Sequence, residues 1–486
     1  MISQARSYSE VAALLRAAIS QGAATVVTSG AALDRLRAVN ARNQQGSREQ
    51  LQAACELAFG DLLRRLPHAD LRSLATLARA AFQLRVPVPQ EEQQPILSKF
   101  ISLVRAWQNV HAAKAMTGPP PPKPGWVQIK LSEQEPSAAA GASGATGEHG
   151  DGSSSSSSSS SGPMQPGLVQ ARVGEVGVSV ERRQANQSVS YFVWATLSNA
   201  QWQWQEGELA ALMQCVQQQA IEDPVDCTRV LVGLVRYAAR QGHAAVGPYV
   251  QEGGPAEALL HRVLSHLSML TSDSCSDTLK SIGRLQLRSP PGTLAALFKG
   301  ALVALEGDAP QPTTGTCNSR FENIAQAFLG LSMVCNLAPE ECREALEVPE
   351  AQEVAQEFAE WVTPAAHELW TQMVTACCQL GFNPVGSQQV PLLEVLLKHL
   401  PGVSSRLSFF DRLDVLVSVA QAYGPPPVGG ALVEQLKPHR QGFAKLAGRC
   451  LTSIHKDASA LESWQAYRRY GGANVMQLLD SYSRSS

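Results

Sequence analysis

SVSYFVWATLSNAQWQWQEGELAALMQCVQQQA, residues 188–220, is the stretch on which the fold turns. Residues 188–202 read as an apolar helix with a buried stem. A short polar turn separates them from a second, amphipathic helix over 206–220. One such pair has an apolar face that it cannot bury by itself, so copies have to stack side by side. The stretch therefore predicts an all-α chain whose helix pairs pile into an α-solenoid, a body that offers a long surface rather than a pocket.

The unit recurs on either side. Copies start near Tyr191, Thr228, Leu279, Ile324, Trp370 and Leu413, and glycine or proline breaks follow at Gly242, Pro290 to Gly292, Pro339, Gly381 to Pro384 and Gly424 to Pro427. Aligning Leu197, Leu234, Ile282 and Phe328 gives offsets of 37, 48 and 46 residues, which suit helical hairpins with inserted loops. Near the N-terminus, Leu71, Leu74, Ala75, Leu77, Ala78 and Phe82 fall at helical spacing. Pro87 and Pro89 stop that helix, and Ile96, Phe100, Ile101 and Val104 line the next. Residues 430–455 and 459–481 read as two closing helices, with Leu432, Leu436, Phe443, Leu446 and Leu451 lining the first and a polar cap as their role.

Residues 118–184 break the pattern. They open on prolines 119–122 and 124, turn rich in alanine and glycine, and then carry nine consecutive serines, 153–161. Such a composition buries too little apolar surface to offset chain entropy, so disorder is expected there. Residues 168–180 alternate like a strand but have no partner beside two linkers. The expected divisions are 1–117, a basic helical segment with one or two repeats; 118–185, a disordered Pro/Ala/Gly/Ser-rich linker; 186–429, the repeat body; and 430–486, capping helices.

An apolar share of 44% is ample for a core, and the net charge of −2 hides an uneven distribution. Residues 1–130 hold 16 Lys/Arg against 8 Asp/Glu, residues 186–429 hold 13 against 24, and residues 430–486 hold 8 against 4. The acidic middle argues against broad, charge-driven binding to nucleic acid. The ten cysteines (Cys55, Cys215, Cys227, Cys275, Cys317, Cys335, Cys342, Cys377, Cys378, Cys450) are scattered through apolar stretches without CxxC spacing. They read as buried free thiols of a reducing compartment. No apolar run approaches the roughly 20 residues that span a bilayer, so no membrane insertion is expected. The first 30 residues hold one acid, Glu10, beside Arg6, Arg16 and several Ser and Ala. That composition is compatible with an organelle transit peptide and equally with a plain amphipathic helix.

Three phrases carry a family resemblance. YFVWATLSNAQ (191–201), LWTQMVTACCQLGFNP (369–384) and LDVLVSVAQAYGPPP (413–427) resemble the first helix and turn of octatricopeptide repeats, helix pairs found mainly in organelle RNA-binding proteins of green algae. Trp194, Trp370, Leu380, Gly381 and Pro384 match its bulky, Leu-Gly and Pro positions, whereas its Pro-rich second-helix signature is reduced to the pair Glu360 and Trp361. The resemblance spans about 186–428 and extends to 68–107. It implies an RNA-binding protein of the chloroplast or, second, the mitochondrion; without a transit peptide the chain would be cytoplasmic.

For catalysis the sequence offers little: no phosphate loop, dinucleotide fingerprint, HExxH or nucleophile elbow. His261 and His266 are five apart and off a common helical face, which disfavours a metal pair. Cys377 and Cys378 lack a neighbouring cation to activate them. Glu340, Glu341 and the acids of 350–360 suit helix starts and solvated faces. No enzymatic activity, cofactor or metal is expected.

The basic residues form a pattern. Arg229, Arg236 and Arg240 fall at i, i+7 and i+11; Lys280, Arg284 and Arg288 at i, i+4 and i+8; Arg72 and Arg79 lie seven apart. If first helices line one wall, these stripes adjoin into a positive strip able to track a phosphate backbone and set guanidinium planes against bases. The same residues equally suit a solvated helix face whose long side chains cover apolar neighbours. Gln326, Gln372 and Gln379 replace cations in later copies and retain hydrogen bonds for base edges. Tyr191 and Trp194 share a face with Leu197 and read as core. Trp202 and Trp204 flank the turn, where either stacking on a base or capping the core suits them. The expected function is a non-catalytic adaptor that binds single-stranded RNA in organelle RNA maturation, stability or translation, with protein partners in an organellar complex. The alternative is a protein-binding helical scaffold whose acidic surface makes no RNA contact.

Overall fold

The computed structural model describes residues 2–42, 47–116, 166–205, 207–218, 221, 223–303, 319–385, 390–424, 434–467 and 475–484. Among these, regular structure is helical throughout, apart from one isolated bridge between Val385 and Pro391. In chain order the helices are α1 (Tyr8–Ser20), α2 (Val26–Arg42), α3 (Arg48–Arg64), α4 (Leu71–Leu84), α5 (Gln90–Met116), α6 (Pro166–Ser198), α7 (Glu208–Gln218) and α8 (Pro224–Gln241). They continue as α9 (Gly247–Val250), α10 (Pro255–Ser265), α11 (Ser272–Leu285), α12 (Thr293–Val303), α13 (Ser319–Val334), α14 (Pro339–Leu346) and α15 (Pro349–Trp361). The last are α16 (His367–Leu380), α17 (Leu392–Leu397), α18 (Leu400–Val403), α19 (Phe409–Tyr423), α20 (Arg440–Lys456), α21 (Ser459–Tyr467) and α22 (Val475–Arg484). The described residues of 1–105 and 185–486 make one compact unit, and the described residues of 106–184 fall to a second.

Local sequence sets the helix ends. Asp70, Asp223, Thr271 and Ser408 are N-caps whose side chains accept a backbone N–H of the first turn; Pro224 follows Asp223, and Ser408 and Asp411 form a reciprocal capping box. At the C-termini one device repeats. Arg85, Gln286 and Gly381 take left-handed backbone angles (φ +54°, +55° and +62°) directly after Leu84, Leu285 and Leu380. The following N–H of Val86, Leu287 and Phe382 then bonds back to the carbonyl of Ala81, Ile282 and Cys377 at 3.1, 3.0 and 2.9 Å. Each of those following residues is buried, which ties the reversal to the core.

A series of helices packs each on the next. α2 lies on α4, α8 on α11, α11 on α13, α13 on α16, α16 on α19 and α19 on α20. α4 meets α6 through Phe82 and Trp194, edge to face with ring centres 5.0 Å apart, and α6 meets α8 at Gly233, where an added Cβ would stand 3.1 Å from Trp194 Cα. Other helices pack beside these: α3 on α2, α10 on α8, α12 on α11, α17 on α16 and α22 on α20. Trp370 of α16, fully buried, donates its indole N–H to the Leu396 carbonyl of α17 at 2.8 Å. Phe100 of α5 stacks on Phe192 of α6 at 3.7 Å between ring centres, so the N-terminal helices share a core with those after residue 185. Burial of each such side chain contributes about 1.5–3 kcal/mol.

Several expectations shift. The proline run and the serine tract lie outside the described residues, but α6 starts at Pro166, so residues 166–185 of the expected linker are helical; proline fits a helix's first turn, and no further proline interrupts the run. The first closing helix starts at Arg440, after a 3-10 turn over Glu434–His439 that contains Pro438, which cannot donate to a helical ladder. The second closing segment holds two helices, α21 and α22, with residues 468–474 outside the described set.

At the α11–α13 contact, a Cβ on Gly283 would lie 2.6 Å from Met333 Cβ and 2.8 Å from the Met333 backbone. Gly283→Ala is therefore expected to destabilise the protein by about 1–3 kcal/mol, seen as a lower urea midpoint. Gln286→Gly, which relieves a left-handed non-glycine residue, is expected to hold or raise that midpoint. A Gly283→Ala protein as stable as the parent contradicts the close packing.

Candidate functional site

The packed helices bring basic side chains from α2, α4, α8 and α11 into one run of contacts. Asp34 of α2 receives Arg37 at 2.7 Å and Arg79 of α4 at 3.3 Å. Burial, then the neighbouring Arg79 cation, pulls Arg37 below the ordinary arginine value. The Arg79 guanidinium lies 4.6 Å from the Tyr191 ring centre, and that of Arg229 lies 4.0 Å from the same centre. Arg236 sits 5.5 Å from both Phe82 and Trp194, so two arginines of α8 rest on aromatic rings of α4 and α6. Desolvation by these contacts, offset in part by Asp277 of α11, lowers Arg236 from its usual value. Lys280 pairs with Asp277 at 2.7 Å and donates to Gln326 Oε1 of α13 at 2.8 Å.

These cations also serve the fold. Arg229 pairs with the buried Asp226, which accepts the Ser190 hydroxyl at 2.8 Å. Burial pushes the Asp226 carboxyl up, against the opposing pull of Arg229 and Ser190. Arg240 donates to the last carbonyls of α6, those of Leu197 and Ser198, where a cation complements the helix dipole. Arg284 Nε donates to Met333 Sδ at 3.3 Å.

Not every expected residue joins. Arg72 is exposed on α4, and no described contact brings it to this run. Arg288 leaves the predicted stripe because α11 ends at Leu285 and Gln286 reverses the chain; it faces Glu252 at 3.5 Å with both side chains more than four-fifths exposed. Trp202 is 4% exposed and packs at 6.1 Å from Phe192, so its face is taken by the core and not offered to a base. Trp204 is half-buried between Trp202 and Tyr237. The loop that holds them is clasped by Gln93 of α5, itself buried, which donates to the carbonyls of Val88 and Gln201 and accepts the Gln203 N–H at 2.9 Å. Sequence reasoning passed over Gln93, Arg37 and the aromatic seats under the arginines. Each joins residues far apart in the chain, and local spacing carries no sign of that.

Within this run Arg37 and Arg79 share Asp34, Arg229 pairs with Asp226, and Lys280 pairs with Asp277; a run of cations suits an anionic ligand. The described cysteines offer poor nucleophiles near it: burial raises Cys227 to about 12 and Cys275 to about 11. No group of three or more His, Cys, Asp or Glu residues placed to hold a metal occurs among the described residues, and no described helix is long and apolar enough to cross a membrane. No protein-family model matches the chain, and no curated protein matches it in sequence.

Gln93→Ala removes both arms of the clasp and leaves the Gln203 N–H unpaired. It is expected to cost about 1–3 kcal/mol, measured as a lower urea midpoint by tryptophan fluorescence. An unchanged midpoint would remove Gln93 from the account of the loop.

Proposed function

We propose that this chain is a non-catalytic RNA-binding adaptor of the octatricopeptide-like kind, an α-solenoid of helix pairs that holds single-stranded RNA along its first helices. Its setting would be organelle RNA maturation, stability or translation, in the chloroplast first and the mitochondrion second. The observation that supports the reading is the run of guanidinium and ammonium groups from α2 to α11, of which Arg79, Arg229 and Arg236 rest on Phe82, Tyr191 or Trp194. Arginine planes anchored on rings can stack on unpaired bases while their edges meet phosphates. Arg79, Arg236 and Lys280 carry the proposal; Arg229 and Arg240 hold helices together, and Arg72 and Arg288 lie to the side.

A second reading, a protein-binding scaffold, draws on two observations. Arg229, Arg240 and Lys280 direct donors to groups within the protein. On α14 and α15, Glu340, Glu344, Glu353 and Glu360 are exposed and would suit a basic peptide.

Filter binding to an unstructured RNA across a salt series separates the two. Arg79→Gln, Arg236→Gln and Lys280→Gln should each reduce the slope of log affinity against log salt by about 0.7 for a single strand. The triple variant should bind more than about tenfold more weakly at moderate salt while keeping a parental far-UV circular dichroism spectrum. Undiminished binding by a folded triple variant overturns the RNA reading as drawn; no RNA binding even at low salt, with capture of a basic peptide, favours the scaffold.

A further inference from the structure

Two thiols stand together at the turn between α13 and α14. Cys335 follows the last residue of α13, and its N–H bonds to the Leu331 carbonyl at 3.1 Å. Leu337 and Ala338 bond back to Val334, at 2.8 and 3.1 Å, closing the turn. Cys342, on α14, donates its thiol to the same Leu331 carbonyl at 3.7 Å. Its thiol lies close enough to that of Cys335 for each to shift the other's titration. Cys342 is 1% exposed, whereas Cys335 is only half-buried, unlike the other described cysteines, which are buried.

We propose that Cys335 and Cys342 are a disulfide-forming pair, with Cys335 the entry thiol and Cys342 the resolving one, oxidised by a small disulfide such as oxidised glutathione. The Cys335 thiol loses its proton to solvent, and the thiolate attacks one sulfur of the small disulfide. A mixed disulfide forms and one small thiolate leaves. The Cys342 thiolate then attacks the Cys335 sulfur, forms the internal bond and expels the second small thiolate. The two cysteines lose two electrons and two protons; the small disulfide gains the electrons, and its two thiolates take up protons.

The roles follow from the surroundings. Burial raises Cys335, and the neighbouring Cys342 pulls the other way; Cys342 is raised to about 12, first by burial and then by its neighbour Cys335. Reaction therefore starts at Cys335 and quickens as pH rises, because thiolate is the attacking species. Cys377 and Cys378, adjacent on α16 and buried, point to different sides of one helix and have no such entry. The bond would join the end of α13 to α14 and restrict the unfolded chain.

The test exposes the full-length chain to oxidised glutathione at about pH 7 and about pH 8.5, followed by intact mass and peptide mapping. Loss of about 2 Da and a cross-linked peptide pairing Cys335 with Cys342, appearing faster at the higher pH, are expected. Cys342→Ser should stop at a stable glutathione adduct on Cys335, and Cys335→Ser should leave Cys342 unmodified. Three results would overturn the pairing: a persistent adduct on Cys335 in the parent chain, a cross-link between other cysteines, or a Cys335 that reacts only in urea.

Discussion

The rest of the structure depends on close lateral contact between packed helices, made possible where a glycine lets a neighbour's backbone or large side chain approach. Gly233 lies against the Trp194 backbone, Gly283 against Met333, and Gly330 against Leu279 and the Lys280 N–H, each with no room for a Cβ at ordinary contact distance. The Thr228 and Thr278 hydroxyls, both buried, meet at 3.1 Å across the α8–α11 contact. Helices held this closely are also covered by others, as α8 is by α10 and α11 by α12. Their long polar side chains come within reach of one another along the edge where neighbouring helices meet.

That edge explains why arginine is so frequent there. A guanidinium can rest on an aromatic ring, pair with a carboxylate and still offer N–H groups outward, which an ammonium does less well. Arg79 does the first two at once, with Tyr191 and Asp34. Arg240 directs its guanidinium to the α6 carbonyls and acts as a cap. One stripe of cations therefore contains both structural staples and candidate ligand contacts, and only the spatial partners tell them apart.

Much of the fold was legible in the sequence because periodicity and breakers are local. Leu74, Ala75, Leu77 and Ala78 are buried in α4 as their spacing requires, and Gly242, Gly381 and Gly424 end their helices with positive φ. The left-handed caps at Arg85 and Gln286 were hidden, since neither residue favours that conformation and a buried apolar neighbour holds it in place. That is why a stripe drawn through Arg288 overran its helix. Trp202 shows the other limit: a tryptophan beside a turn reads as exposed or buried alike until Phe192 and the Gln93 clasp are placed around it. The candidate site was half legible, its cations by spacing but their aromatic seats only through contacts between residues some 40 to 150 positions apart.

Ultraviolet cross-linking of a uridine-rich oligonucleotide to the intact chain, with mass spectrometry of the linked peptides, tests the central claim most directly. Adducts confined to peptides of α4, α6, α8 and α11 that carry Arg79, Tyr191, Arg236 and Lys280 are the result this account predicts. Adducts concentrated on the flanking helices α10, α12 or α14, with none on that shared edge, would contradict it.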